Sequence, residues 1–149
     1  MTVRQHEDVL RHVVRVAQAG RDFFAEAGPR IGDPDVRSAF SYICDVKTQL
    51  VADLKPWAHP GTEPASNDGT SPSEVLDKLY ADALEHFRPQ APGAVANALS
   101  FGEDQLIKLL ERAFEEARSP ALQEVLKSYY SQLVICRQAM WRLHARAAA

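Results

Sequence analysis

The stretch SFGEDQLIKLLERAFEEA, residues 100–117, has helical spacing, and its Glu103 falls on the apolar side, with Leu110 seven residues on. A carboxylate there can be a metal ligand, one half of a buried ion pair, or a residue at the edge of the stripe that reaches water. A buried charge needs a partner, and two cations lie on comparable stripes. Lys47 falls in the series Phe40, Ile43, Lys47, Leu50, Leu54, and Arg21 in the series Leu10, Val14, Ala17, Arg21, Phe24. Cys136 shares the inward side of the last helix with Tyr129 and Leu133. Glu103, Lys47, Arg21 and Cys136 therefore form a candidate polar core cluster, in which Glu103 pairs with Lys47 or Arg21.

The elements that must position these residues are helices. No segment alternates with a period of two for long. A first helix spans about 3–27, with Leu10, Val13, Val14, Ala17, Phe24 and Ala27 as its stripe, and Gly28 and Pro29 end it. Asp33 caps a second helix, with Pro34 at its first position, where the missing N–H is of no consequence. Phe40, Ile43, Leu50, Leu54 and Trp57 point inward along it, and Pro56 marks its end. Residues 58–70, AHPGTEPASNDGT, have loop composition. Ser71, Pro72 and Glu74 then read as a capping box. The third helix, about 72–88, carries Val75, Leu76, Leu79, Tyr80, Ala83, Leu84 and Phe87 on one side. Its polar side holds Asp77, Lys78, Asp82 and Glu85, which is not the basic face that a bilayer surface attracts. A fourth helix spans about 92–117. A fifth, about 120–146, is opened by Ser119 and Pro120.

An internal repeat organises these helices. AGRDFFAEAGPRIGDPDVRSAFSYI and FGEDQLIKLLERAFEEARSPALQEVLKSYY both run glycine-charge-Asp, apolar helix end, cap-Pro, second amphipathic helix. Gly20 matches Gly102, Pro34 matches Pro120, and Val36, Phe40 and Ile43 match Leu122, Leu126 and Tyr129. Each half reads as an αα-hairpin, and the chain between them can cross the length of a bundle. A glycine in mid-helix costs about 1 kcal/mol relative to alanine. Gly20 and Gly102 both lie on apolar stripes, so they are expected where helices approach backbone to backbone.

Two hairpins joined by a long crossover give the expected fold: all-α, a ferritin-like up-down-down-up four-helix bundle with an additional helix in the crossover, as one domain over residues 1–149. A plain five-helix up-and-down bundle is the alternative. On AGRDFFAEA, DPDVRSAF, LVADL, GEDQLIKLLERAFEEA and the Ser119–Pro120 restart, the chain resembles a bacterial ferritin-like family of uncharacterised four-helix-bundle proteins, distantly similar to rubrerythrin. The resemblance covers essentially the whole chain and implies a bundle fold, with no established reaction attached.

A di-iron carboxylate bundle takes a Glu from each of two helices and a Glu-x-x-His pair from each of the other two. No Glu-x-x-His occurs here, and the histidines are His6, His12, His59, His86 and His144. The central inward positions of the second helix are Ile43, Lys47 and Leu50, those of the fifth Tyr129, Leu133 and Cys136, and the first offers Ala17 and Arg21. Glu103 alone keeps a ligand-type carboxylate at the right phase, so neither a metal site nor a cofactor is expected. Cys44 and Cys136 read as small apolar residues. Tyr129, Tyr130, Trp57 and Trp141 read as packing or interface residues, and Asp82 with His86 as a surface hydrogen bond. No phosphate loop, GxSxG or convergent Ser/His/Asp set is present.

The totals exclude other classes. The chain has 149 residues, enough to bury about 68–70% of its unfolded surface without staples. Its net charge of −3 is unlike that of a phosphate-binding surface, so no nucleic-acid partner is expected. It lacks an 18-residue apolar run, so no membrane span is expected. The opening MTVRQHEDVLRHVV is unlike a secretory signal, and two cysteines without a CxxC fit a reducing cytoplasm. The sequence thus points to a ferritin-like protein without the di-metal ligand set, non-enzymatic, acting through interaction with itself as a homodimer or with another protein. Relatives that handle iron or oxidative stress suggest a stress-associated setting. The alternative is an iron-binding protein or oxidoreductase with an unconventional site around Glu103, Lys47 and Cys136.

Overall fold

The computed structural model describes residues 3–58 and 71–148, with side chains over 9–58 and 71–147. The expectations for His6, His59 and the loop over 59–70 lie outside these. Five helices pack together: α1 (Val3–Ala27), α2 (Pro34–Leu54), α3 (Pro72–His86), α4 (Ala96–Glu116) and α5 (Pro120–Ala148). No strand occurs among the described residues. α1 packs on α2 and α4, α5 packs on α2 and α4, and α3 lies against α1 and α4. None of these helices is long and apolar enough to cross a membrane.

The helix starts follow local chemistry. Asp33 Oδ1 accepts from the backbone N–H of Asp35 at 2.9 Å and of Val36 at 3.3 Å, which satisfies two of the orphan donors that open α2. Ser71 Oγ accepts from the N–H of Glu74, and Ser119 Oγ from that of Leu122. Each of these caps is followed by proline. Short 3-10 turns, Gly28–Arg30 and Pro92–Val95, precede α2 and α4. The fourth helix therefore begins at Ala96, later than its composition suggests, because Pro92 and Gly93 shape the entry as a tighter turn.

The stripes form one continuous core. Leu10, Val13, Ala17, Phe40, Ile43, Leu50, Leu99, Leu106 and Leu133 are fully buried, each such side chain contributing about 1.5–3 kcal/mol relative to exposure. The repeat positions Val36, Phe40 and Ile43 and their counterparts Leu122, Leu126 and Tyr129 are all buried. Phe23, absent from the expected stripe of α1, is buried too. It anchors an aromatic cluster with Phe24, Phe40, Tyr80 and Phe87 at ring-centroid distances of 5.1, 6.3, 6.1 and 6.0 Å.

Two expected positions differ, Val75 and Trp57, while the surface hydrogen bond expected between Asp82 and His86 is present. Val75 is exposed rather than inward, because α3 buries a narrower line, Ser73, Leu76, Tyr80 and Ala83, against its neighbours. Trp57 is only half-buried, since α2 ends at Leu54 and the following turn carries the ring off the stripe. In that bond His86 Nδ1 donates to the backbone carbonyl of Asp82.

The two backbone N–H donors hold the Asp33 carboxyl below its ordinary value of 3.8, with a smaller contribution from Arg146 at 3.6 Å. A group whose pKa is depressed by folding stabilises the native state above its unfolded pKa, and that gain is lost as pH falls through the folded value. Asp33→Asn keeps the cap and removes the titration. Its stability relative to the parent should therefore rise on going from pH ~6 to pH ~2.5, read from thermal melts followed by circular dichroism.

Candidate functional site

The centre of the protein holds a buried ion pair. α2 supplies Lys47 and α4 supplies Glu103, with Lys47 Nζ donating to Glu103 Oε1 at 2.8 Å and both side chains fully buried. They are the only buried charged residues among those described. α3 supplies a third member. The Tyr80 hydroxyl donates to Glu103 Oε2 at 3.5 Å. The Lys47 ammonium also lies 5.9 Å from the centroid of the Phe24 ring, within cation–π range.

Glycine makes room for this arrangement. A Cβ on Gly102 would stand 2.4 Å from the Tyr80 hydroxyl oxygen and 2.9 Å from Cζ. A Cβ on Gly20 would stand 2.9 Å from Lys47 Cε and 3.2 Å from the Tyr80 oxygen. The expectation of backbone meeting backbone is thus corrected. The two glycines are close-approach points, but what approaches is the side chain of Tyr80, with Lys47 beside Gly20. The repeat places one glycine on α1 and its counterpart on α4, and the phenol occupies the space that both leave.

Of the four candidate cluster residues, the structure pairs Glu103 with Lys47. Arg21 is not in the core. It sits half-exposed on the surface of α1, where its guanidinium bonds Asp22 at 3.2 Å. The reason is angular: Gly20 and Phe24 take the inward positions of that turn, leaving Arg21 at the flank. Cys136 is fully buried on α5, near enough for both charges of the pair to act on its thiol. Burial first, then the Glu103 charge, pushes that thiol up to about 12, with Lys47 opposing. It stays protonated at neutral pH and offers no thiolate nucleophile or ligand. The Tyr80 phenol is likewise held well above its ordinary value by burial, then by Glu103, and remains a donor. Cys44 is half-buried, its Sγ 3.8 Å from the Arg21 carbonyl.

Tyr80 is the residue that sequence reasoning missed as a member of the site, having counted it with the apolar stripe of α3. Two helix-interior glycines on apolar stripes were the available signal that something comes close. A second tyrosine–carboxylate contact ties α5 to α2: the Tyr129 hydroxyl donates to Asp53, and burial with this bond raises the phenol pKa.

Among the described residues, no group of three or more His, Cys, Asp or Glu side chains is placed to hold a metal ion. The residues at the centre do not fit a di-metal group. Glu103 already faces an ammonium through one oxygen and a phenol through the other, and the neighbouring thiol is protonated. The charges are mutually compensated and shut away from solvent, and the clefts between α4 and α5 and beside Arg30 and Arg146 are lined by other residues. Comparison of the chain with protein-family models, with curated proteins and with solved structures gave no match.

Two outcomes are expected from this geometry. Glu103→Leu strands the Lys47 ammonium and should cost about 3–5 kcal/mol in denaturant unfolding, whereas the double variant Lys47→Met/Glu103→Leu should recover most of that loss. Gly102→Ala should destabilise by about 1–3 kcal/mol despite the ~1 kcal/mol that alanine contributes to helix propensity. In a Tyr80→Leu background the same substitution should cost markedly less, because the phenol that it meets is gone.

Proposed function

We propose that this chain is a ferritin-like bundle in which an internal cation, the Lys47 ammonium, stands where relatives of that fold hold metal, and that it acts through its surface rather than by catalysis. The observation that carries the reading is the 2.8 Å contact between Lys47 and Glu103, both fully buried. A carboxylate that is already neutralised by a lysine is a poor ligand, since metal binding requires several preformed, deprotonated donors with supporting hydrogen bonds.

The up-down-down-up order is supported by contacts between helix ends. Arg146 near the end of α5 reaches Asp33 at the start of α2, and Tyr129 in the first half of α5 reaches Asp53 near the end of α2. Those two contacts run α5 against α2. The short connections after α1 and α4 are of a length that reverses the chain within each hairpin, which supports the order α1 up, α2 down, α4 down, α5 up. On this reading α3 is the additional helix of the crossover. The resemblance to uncharacterised ferritin-like proteins agrees with it, and a stress-associated, cytoplasmic setting is the analogy that goes with the resemblance.

Elemental analysis of the full chain, purified without chelators, tests the proposal. Iron and manganese well below one equivalent per chain are expected, in the parent and equally in Lys47→Met. About two equivalents of either metal in the parent would overturn it in favour of an unconventional site around Glu103.

A further inference from the structure

The surface carries one face whose chemistry is self-complementary. Phe101, Phe114, Tyr130 and Trp141 expose between 39% and 47% of their surface, and all four belong to the α4–α5 hairpin. Steps of three and four residues put Phe101, Asp104, Lys108, Glu111 and Glu115 in one row along α4. The same steps put Lys127, Tyr130, Val134, Arg137 and Trp141 in a row along α5. Two contacts fix their register side by side. The Tyr130 hydroxyl donates to Glu111 at 3.3 Å, and Arg137 pairs with Asp104 at 3.0 Å. Arg137 also lies over the Trp141 ring at 4.6 Å. Carried along the two antiparallel helices from those two contacts, helical steps bring Phe101 level with Trp141, Lys108 level with Val134 and Glu115 level with Lys127. Between the rows, at the Glu115 end, runs an apolar cleft of about 580 Å³ lined by Leu110, Phe114, Leu126 and Tyr130.

We propose that this face binds a second copy of the same chain, about a two-fold axis parallel to α4 and α5. Such an axis lays the α4 of one protomer on the α5 of its partner without shifting the register. Ring then meets ring, acid meets base at two levels, the Lys108 stem meets Val134, and Glu111 meets a phenol. Each α4 runs antiparallel to the α5 that it covers, so the helix dipoles oppose. The other face-to-face two-fold, perpendicular to the helices, lays α4 on α4. It sets Asp104 against Glu111 and Lys108 against its own copy, and those like charges select against it. The hairpin face is ~30 Å long and ~20 Å wide, the footprint of a standard interface of roughly 800 Å² per partner. Closed two-fold dimers need this kind of self-complementarity in a single patch. The inference deepens the reading that the protein acts through its surface, and rests on it, by naming the partner.

The test is sedimentation of the full chain at low salt from ~1 to ~200 µM, with circular dichroism melts to confirm folding. A species of twice the 16.5 kDa chain mass is expected, weakening as salt is raised. Lys127→Glu, an exposed position, should weaken it at least ~tenfold, because the two-fold duplicates every change. Lys127→Glu combined with Glu115→Lys should restore it. A single-chain mass throughout, a dimer indifferent to Lys127→Glu, or failure of the swapped pair to restore association would each overturn the proposal. Metal content is read separately. A metal-loaded dimer would defeat the account of the core and leave this one standing, and a metal-free monomer would do the reverse.

Discussion

Everything at the centre of this protein is arranged around one contact, the ammonium of Lys47 against the carboxylate of Glu103. Removing two charges from water costs several kcal/mol per ion after relaxation, and their attraction roughly repays it only when geometry is good and remaining polar atoms are met. The surroundings supply those conditions. A phenol reaches the second carboxylate oxygen, an aromatic ring lies near the ammonium, and glycine replaces any larger residue where these groups must approach a helix. The contact adds little net stability, yet it commits α2, α3 and α4 to one register, because a slip of one residue in α2 or α4 would strand a charge and a slip in α3 would leave Glu103 Oε2 without its phenol donor.

That commitment also sets the protonation of the groups around the pair. Catalytic groups are held near a balance point, where a proton or an electron pair can move. Here burial and charge push the Tyr80 phenol and the Cys136 thiol away from that balance, both toward their neutral forms. Polar groups in this core thus act to specify how the helices fit, a role often met by one buried hydrogen-bonded group in an otherwise apolar interface.

Much of the architecture was legible from single residues. Asp33–Pro34, Ser71–Pro72 and Ser119–Pro120 announce three helix starts, and each serine or aspartate caps where it should. Glu103 and Lys47 were legible as candidates for an inward pair from their helical phase, but phase alone also allowed Glu103 to reach water at the edge of its stripe and Arg21 to be its partner. Arg21 was misread because its stripe is broad: a residue about 60° from Phe24 and about 100° from Gly20 around the helix can be drawn onto the same face, and only the packing of α2 decides that Gly20 is the inward one. Tyr80 escaped because a tyrosine among leucines looks like packing, and the depth that it reaches depends on glycines far away in the sequence. The α4–α5 charge rows were visible as helical steps, but their side-by-side register needed the Tyr130–Glu111 and Arg137–Asp104 contacts.

The insertion of Tyr80 between Gly20 and Gly102 has a consequence for how this fold can diverge. In most bundles the connection between hairpins lies outside and is free to lengthen, shorten or be exchanged. Here that connection contributes a side chain to the innermost layer, in the space that Gly20 and Gly102 leave open. A descendant that lost or replaced α3 would inherit a wet hole beside two charges, so the segment that is ordinarily most expendable has become one of the hardest to give up.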